Sequence, residues 1–387
     1  TIAASSRVDE SLRLEAIQEL LEWNAPGPLD RVINDYRPIS PRNTDVAAIV
    51  RPQLGALFAG SRKVREAAAK LAGQYGIKDV EPFLLDIAKD SATAGSERVA
   101  ALNALETLKS PHLKAIEEST LTDTNSTVRL EARRLLAGID PDRAVKLLGE
   151  TLDADPVAEQ QSAISILAGL KRPDADEILA SWLERLVQRK VPDGIQLDLL
   201  NAAQARKTKE LLARVTEFDL QRKSDDHLGQ FRETLSGGNA ARGSEIFFGK
   251  AEVSCRRCHK IDGNGGDVGP DLSRIGLDKS REYLLESVVD PNKQIAKGFE
   301  TVILEMDSGL IHAGIIKSDE GTRLSLQKPD GSIVVVDKSK IEDRAVGKSG
   351  MPEDLVKKLT KSEIRDLVEF LAALKNTAGP AAHGKKE

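Results

Sequence analysis

The stretch NAARGSEIFFGKAEVSCRRCHKIDGNGGDVGPDL, Asn239 to Leu272, decides how the rest of the chain is read. At its centre stands CRRCH, Cys255 to His259, the spacing of a haem c attachment site. Two cysteines three residues apart share one turn of chain, so each thiol can form a thioether to one of haem's two vinyl groups. The next residue, His259, then lies beneath the iron and supplies its imidazole. Permanent attachment lets a small domain hold a large apolar cofactor that it could not otherwise retain. Competing chemistries fit less well. A zinc site needs four ligands, but no second Cys pair exists, and His112, His227, His312 and His383 are scattered. A redox dithiol belongs after a strand in a βαβ unit; here a charged Arg256-Arg257 separates the cysteines and a glycine-rich loop follows.

Upstream, the chain reads as helix after helix. Leu12, Ala16, Leu20 and Leu21 recur at helical spacing before Pro26-Gly27-Pro28 stops the run. Four segments then resemble one another: KLAGQYG, ALETLKS, LLAGIDP and ILAGLKR. Their leucines, Leu71, Leu105, Leu136 and Leu167, fall at steps of 34, 31 and 31 residues, and Leu200 adds a step of 33. Second apolar helices are expected over Val80 to Ala88, Ala144 to Leu152 and Ala175 to Leu186. A repeated helix pair cannot bury its apolar face alone, so such units stack. The expectation for residues 1–236 is a HEAT-like α-solenoid, with a proline-bearing irregular insertion from Tyr36 to Pro52.

From Gly237 the character changes. Short helices are expected over Ala240 to Phe248 and Ser280 to Val289. The period then switches to two over Thr301 to Met306, Ile311 to Lys317, Thr322 to Gln327 and Ser332 to Asp337. That pattern predicts a four- or five-stranded antiparallel meander, a β insertion at about 299–346. Val302, Leu304 and Met306, with Ile311, Ala313 and Ile315, suggest its buried face. The last helix, Lys361 to Leu374, carries a Thr360 N-cap with Glu363 in the capping-box position. The second domain spans 237–378, and 379–387 reads as a disordered tail.

Composition narrows the options. Hydrophobic residues make up 40% and charged residues 30% of the 387, the balance of a globular chain. The two cysteines are the only ones, which excludes a disulfide-stapled scaffold. Formal charge is -5 and no basic stripe offers itself to nucleic acid. No apolar run reaches the ~18 residues of a membrane span; Val46 to Ala59 comes nearest, and Arg51, Pro52 and Gln53 interrupt it. A start at Thr1 without a signal peptide suits a processed or excised chain. Arg256, Arg257, Lys260 and Lys348 could form a positive collar at the haem edge, against which Glu353 and Asp354 argue.

Several features resemble cytochromes c of the first class. Gly243 and Phe247 stand where that class has a small residue and an aromatic on the helix before the cysteines. Leu367 and Phe370 form a matching face on the C-terminal helix, and in that fold the two helices cross. Gly269-Pro270-Asp271-Leu272 is similar to the segment whose proline carbonyl accepts a hydrogen bond from the proximal imidazole, so the resemblance assigns Pro270 to orienting His259. Met351-Pro352 matches the methionine loop before the last helix, which makes Met351 the sixth ligand of the iron. Of the other candidates, Met306 ends a strand and His312 sits inside one.

The sequence as a whole is similar to the Planctomycetes-type haem-binding domain proteins. The resemblance rests on LRLEAIQELLEW, GNAARGSEIFF, CRRCH, GGDVGPDL, SREYLLESVVDPN, the strand insert, and a Met-Pro before EIRDLVEFLAAL. Members often carry this region behind a sugar-dehydrogenase-like propeller, which implies electron acceptance from a dehydrogenase. The fold expected is mainly α: a HEAT-like solenoid, then a cytochrome c domain with a small antiparallel β insertion. The function expected is single-electron transfer by one covalent haem c, with no catalytic residue, a redox protein or dehydrogenase domain as partner, and no membrane span. Because haem c is attached outside the cytoplasm, a periplasmic or cell-surface location follows. A haem enzyme or small-ligand sensor with an open sixth site, or a repeat-based docking scaffold, are the alternatives.

Overall fold

The landmark leucines close helices. Leu71, Leu105, Leu136 and Leu167 are each fully buried near the ends of Arg62–Gln74, Gly95–Thr107, Ser126–Ile139 and Val157–Gly169. The computed structural model describes residues 2–375, apart from 31, 32, 34 and 155; the expected tail at 379–387 and His383 lie outside the described residues. Contacts divide the chain into two units, Thr1–Ala175 and Asp176–Glu387. The molecule is mainly helical, with one five-stranded antiparallel sheet. Among the described residues no helix is long and apolar enough to cross a membrane.

In the first unit each landmark helix packs on the next, and the second helices Glu81–Lys89, Leu113–Leu121 and Pro141–Ala154 fill between them. Leu113–Leu121 was not legible as a separate helix, although Leu113 and Ile116 are buried. Ion pairs join successive units at nearly the repeat period. Arg65 binds Glu97, Arg129 and Arg133 both bind Glu159, Arg134 reaches back to Glu106 at 2.5 Å, and Arg172 to Asp142. The region from Tyr36 to Pro52 is only partly irregular. Asp45 accepts a bond from the Ala48 amide at 2.9 Å and starts a short helix, Val46–Val50, whose Val46 and Val50 are buried.

The second unit begins within the helix Pro173–Val187 and contains the pair Asp193–Arg206 and Lys209–Leu220. Both helices are read from sequence as part of the repeats, yet Asp193–Arg206 is bonded to the C-terminal helix Lys361–Ala373. Arg365 makes a two-pronged contact with Asp198 at 2.6 and 3.2 Å. The Thr360 cap forms as expected, with Glu363 completing a reciprocal box.

After a two-residue ladder, β1 (Lys260–Ile261) and β2 (Asn264–Gly265), come five strands: β3 (Thr301–Met306), β4 (Ile311–Glu320), β5 (Arg323–Gln327), β6 (Ile333–Asp337) and β7 (Ile341–Val346). Their order is β6-β5-β4-β3-β7, so the first four form the expected meander and the fifth returns beside the first. A flat sheet would hold β6 and β7 about 19 Å apart at ~4.8 Å per strand. Yet only a one-turn 3-10 helix, Lys338–Lys340, joins them, and four Cα steps reach at most ~15 Å. The sheet therefore curls, and Val302, Leu304, Met306, Leu324, Leu326 and Val336 fill its inside.

One face assignment needs correcting. Val302 and Leu304 oppose Gly314 and His312, so the inner face of β4 carries His312, Gly314 and Ile316. Ile311 and Ala313 lie on the outer face and are exposed. Ile315 shares that outer face yet is 6% exposed, because another part of the unit covers it.

Candidate functional site

Two helices build the floor of the site. Asn239 caps Ala240–Gly249, accepting from the Arg242 amide at 3.0 Å, and this helix crosses Lys361–Ala373 at very close range. A Cβ on Gly243 would overlap the Asp366 carbonyl and lie 2.6 Å from Phe370 Cβ, so only glycine permits the crossing. Asp366, 5% exposed, accepts from the Asn239 amide at 2.7 Å and pairs with Arg242 at 2.9 Å. Phe247, Phe248 and Phe370 pack ring to ring, with centroids 4.9 to 6.2 Å apart.

From this floor the chain turns through Ser254, at φ 46, into a single helical turn, Cys255–Cys258, and leaves it extended at His259. The glycine-rich segment folds back against that turn. Gly266 and Gly269 donate to the carbonyls of Arg256 and Cys258 at 2.9 and 2.8 Å. A Cβ at Gly269 would stand 2.7 Å from the His259 ring. The glycines thus let backbone lie flat on the turn from Cys255 to His259.

His259 Nδ1 is 3.0 Å from the Pro270 carbonyl oxygen. A carbonyl can only accept, so Nδ1 carries the proton and Nε2 keeps its lone pair. Burial, which favours the neutral ring, holds the imidazole below its ordinary pKa, and the bond to the Pro270 carbonyl only partly opposes it. Cys255 and Cys258 form no disulfide with each other. Burial, with Cys258 beside it, pushes the Cys255 thiol up to about 11, the opposite of the depressed value that marks a reactive dithiol.

Cys255, Cys258, His259, Pro270 and Met351 all line one cavity of about 310 Å³, within the range of cofactor sites. Its remaining wall is mostly apolar: Phe247, Leu284, Val288, Leu367 and Leu371 from three helices, and Ile315 from β4. Met306, by contrast, is packed inside the curled sheet, 6% exposed. His312 is half-buried on that sheet's inner face and does not line the cavity.

The methionine loop is tied to the turn that follows the helix Arg281–Val289. Ser349 donates its amide to Asn292 Oδ1 at 2.8 Å, and Met351 donates its amide to Ser349 Oγ at 3.1 Å. The curled sheet sits between these two points in sequence but leaves through a narrow neck, where Gly347 donates to the Thr301 carbonyl at 2.8 Å. It touches the other side of the site too: Lys317 Nζ and Gln327 Nε2 donate to Asp267 at 3.0 and 3.1 Å. Of the expected collar, Arg256 and Arg257 are exposed, while Lys348 pairs with Glu353 at 2.8 Å.

Sequence reading missed Asn292 and Ile315. Asn292 stood within the quoted VVDPN, but nothing local marks a partner 57 residues away. Among the described residues no cluster of three or more His, Cys, Asp or Glu could hold a bare metal ion. No protein-family model matches the chain, and no curated protein matches it.

Proposed function

We propose that this chain is a c-type cytochrome module, binding one haem c covalently through Cys255 and Cys258 and passing single electrons. The observation that carries this reading is the convergence of Cys255, Cys258, His259 and Met351 on one apolar cavity. When bound, haem c supplies an iron centre that changes oxidation state by one electron, at a potential set by its axial ligands and burial.

The residues present fit such a group. His259, fixed as the Nδ1–H tautomer by Pro270, offers Nε2 as a ligand. Met351 offers a neutral thioether from a loop anchored by hydrogen bonds, and His/Met ligation raises the potential. Leu284, Val288, Leu367 and Leu371 give the cavity an apolar wall suited to the face of a porphyrin. Gly269, lacking a Cβ, lets its backbone pack against the His259 ring.

The helical first unit fits a HEAT-like solenoid, supported by helix-on-helix packing between neighbours and ion pairs at the repeat period. It would present the haem module to a redox protein or dehydrogenase domain, as the resemblance to the Planctomycetes-type proteins implies. Since haem c attachment occurs outside the cytoplasm, the module works in the periplasm or at the cell surface.

The test is intact mass after denaturation of protein made alongside a cytochrome maturation system. The reading expects the polypeptide plus one haem, and a bare polypeptide under those conditions overturns it.

A further inference from the structure

We infer that Asn292 is a positioning residue for Met351, holding the thioether loop in the conformation that lets it act as an axial ligand. This rests on the haem reading above. Asn292 lies just beyond the helix Arg281–Val289, in the half-buried turn after Pro291. It does not line the cavity, whereas Ser349, Gly350 and Met351 do. Its side chain bonds in both directions. Oδ1 accepts from the Ser349 amide at 2.8 Å, and Nδ2 donates to Glu353. Ser349 in turn caps the loop through Oγ, which accepts from the Met351 amide at 3.1 Å.

Met351 is therefore bracketed. The residues two before and two after it are held by one amide side chain, whose acceptor and donor ends serve opposite sides of the loop. Glycine at 350 gives the backbone between them no rigidity of its own, since nothing lies within 4 Å of its Cβ position. Without the bracket, Lys348 to Pro352 would lose their tie to the turn after Pro291, and a thioether is a weak enough ligand to be lost when its loop moves. Two ordinary hydrogen bonds set the scale of the effect, about tenfold or more in the ratio of bound to released thioether.

The experiment compares Asn292→Ala and Asn292→Asp with the unsubstituted protein, all haem-loaded. Two readouts apply: the weak red absorption of a thioether–ferric bond, and the rate at which the reduced protein binds carbon monoxide. Asn292→Ala should weaken the band and speed carbon monoxide binding about tenfold or more, with far-ultraviolet dichroism unchanged. Asn292→Asp keeps the acceptor for Ser349 but sets a carboxylate against Glu353, and should fall between the two. It also serves if the alanine variant fails to fold. If the unsubstituted protein shows the band and neither variant changes it, the positioning role is overturned while the haem reading stands. If the unsubstituted protein carries no haem, the haem reading falls and this inference with it.

Discussion

The two units are held together in opposite ways. In the first, several ion pairs tie neighbouring repeats: Arg65 to Glu97, Arg129 to Glu159 and Arg172 to Asp142 span 32, 30 and 30 residues, close to the repeat period. In the second, the decisive contacts occur once and reach much further. Asn239 to Asp366 spans 127 residues, Arg281 to Glu369 spans 88, and Asn292 to Ser349 spans 57. A periodic array spreads stability over similar rungs, so the identity of any one exposed rung matters little. A site assembled from distant segments has no second copy of any closure.

The rung that tests this view hardest is Glu159, 2% exposed between Arg129 and Arg133. Glu159→Ala removes the buried carboxylate that Arg129 and Arg133 share and should cost about 3–5 kcal/mol. Denaturant unfolding checks the cost, and in the haem-loaded protein that the proposed function expects, the spectrum should be unchanged, because the loss stays in the first unit. Gly243→Val should cost about 3 kcal/mol, because its Cβ meets the Asp366 backbone rather than a movable side chain. Here the spectrum should suffer as well. A variant that lost stability but kept its spectrum would break the contrast.

The methionines sharpen it further. Met306→Ala, emptying the curled sheet, should cost about 2–3 kcal/mol with the iron ligation intact. Met351→Ala should cost less stability yet convert the haem to a high-spin form that binds carbon monoxide. Acid offers a fourth measurement. Burial opposes ionisation of Glu159, but the bonds from Arg129 and Arg133 prevail and hold its pKa below the ordinary carboxylate value. A depressed carboxylate stabilises the fold at pH above its unfolded pKa of ~4.3, and that stability is lost as pH falls through the folded value. Unfolding of the first unit, followed from pH 7 down to about pH 3, should therefore steepen, and Glu159→Gln should flatten the dependence. Smallest of all, Arg134→Ala on an exposed rung should change stability by under ~1 kcal/mol.

Much of this was legible because it is local. The Thr360–Glu363 box and the landmark leucines each declare themselves within a few residues, as CRRCH does for the proposed site. The expected inner face of β4 was wrong for a reason equally physical. Ile311, Ala313, Ile315 and Ile316 put apolar side chains on both parities, so alternation alone could not say which side was the interior. What decides is the register with β3, which sets His312 and Gly314 opposite the buried Leu304 and Val302. The arginine rungs could have been found by asking which charges recur at the repeat period. Asn292 could not, because its partner becomes near only after everything between them has folded.

The neck of the curled sheet bears on chain entropy. Between Thr301 and Gly347 run about 46 residues, whose ends as a flexible coil would lie roughly 35–40 Å apart. Bringing them together would cost on the order of 3 kcal/mol in closure entropy, by the logarithmic rule for loops. The folded strands abolish that cost, since Gly347 already donates to Thr301 at 2.8 Å. To the segment that carries Met351, the insertion is then no longer a long tether but a connection of almost no length. Completion of the site thus waits on a sheet whose interior residues never enter it.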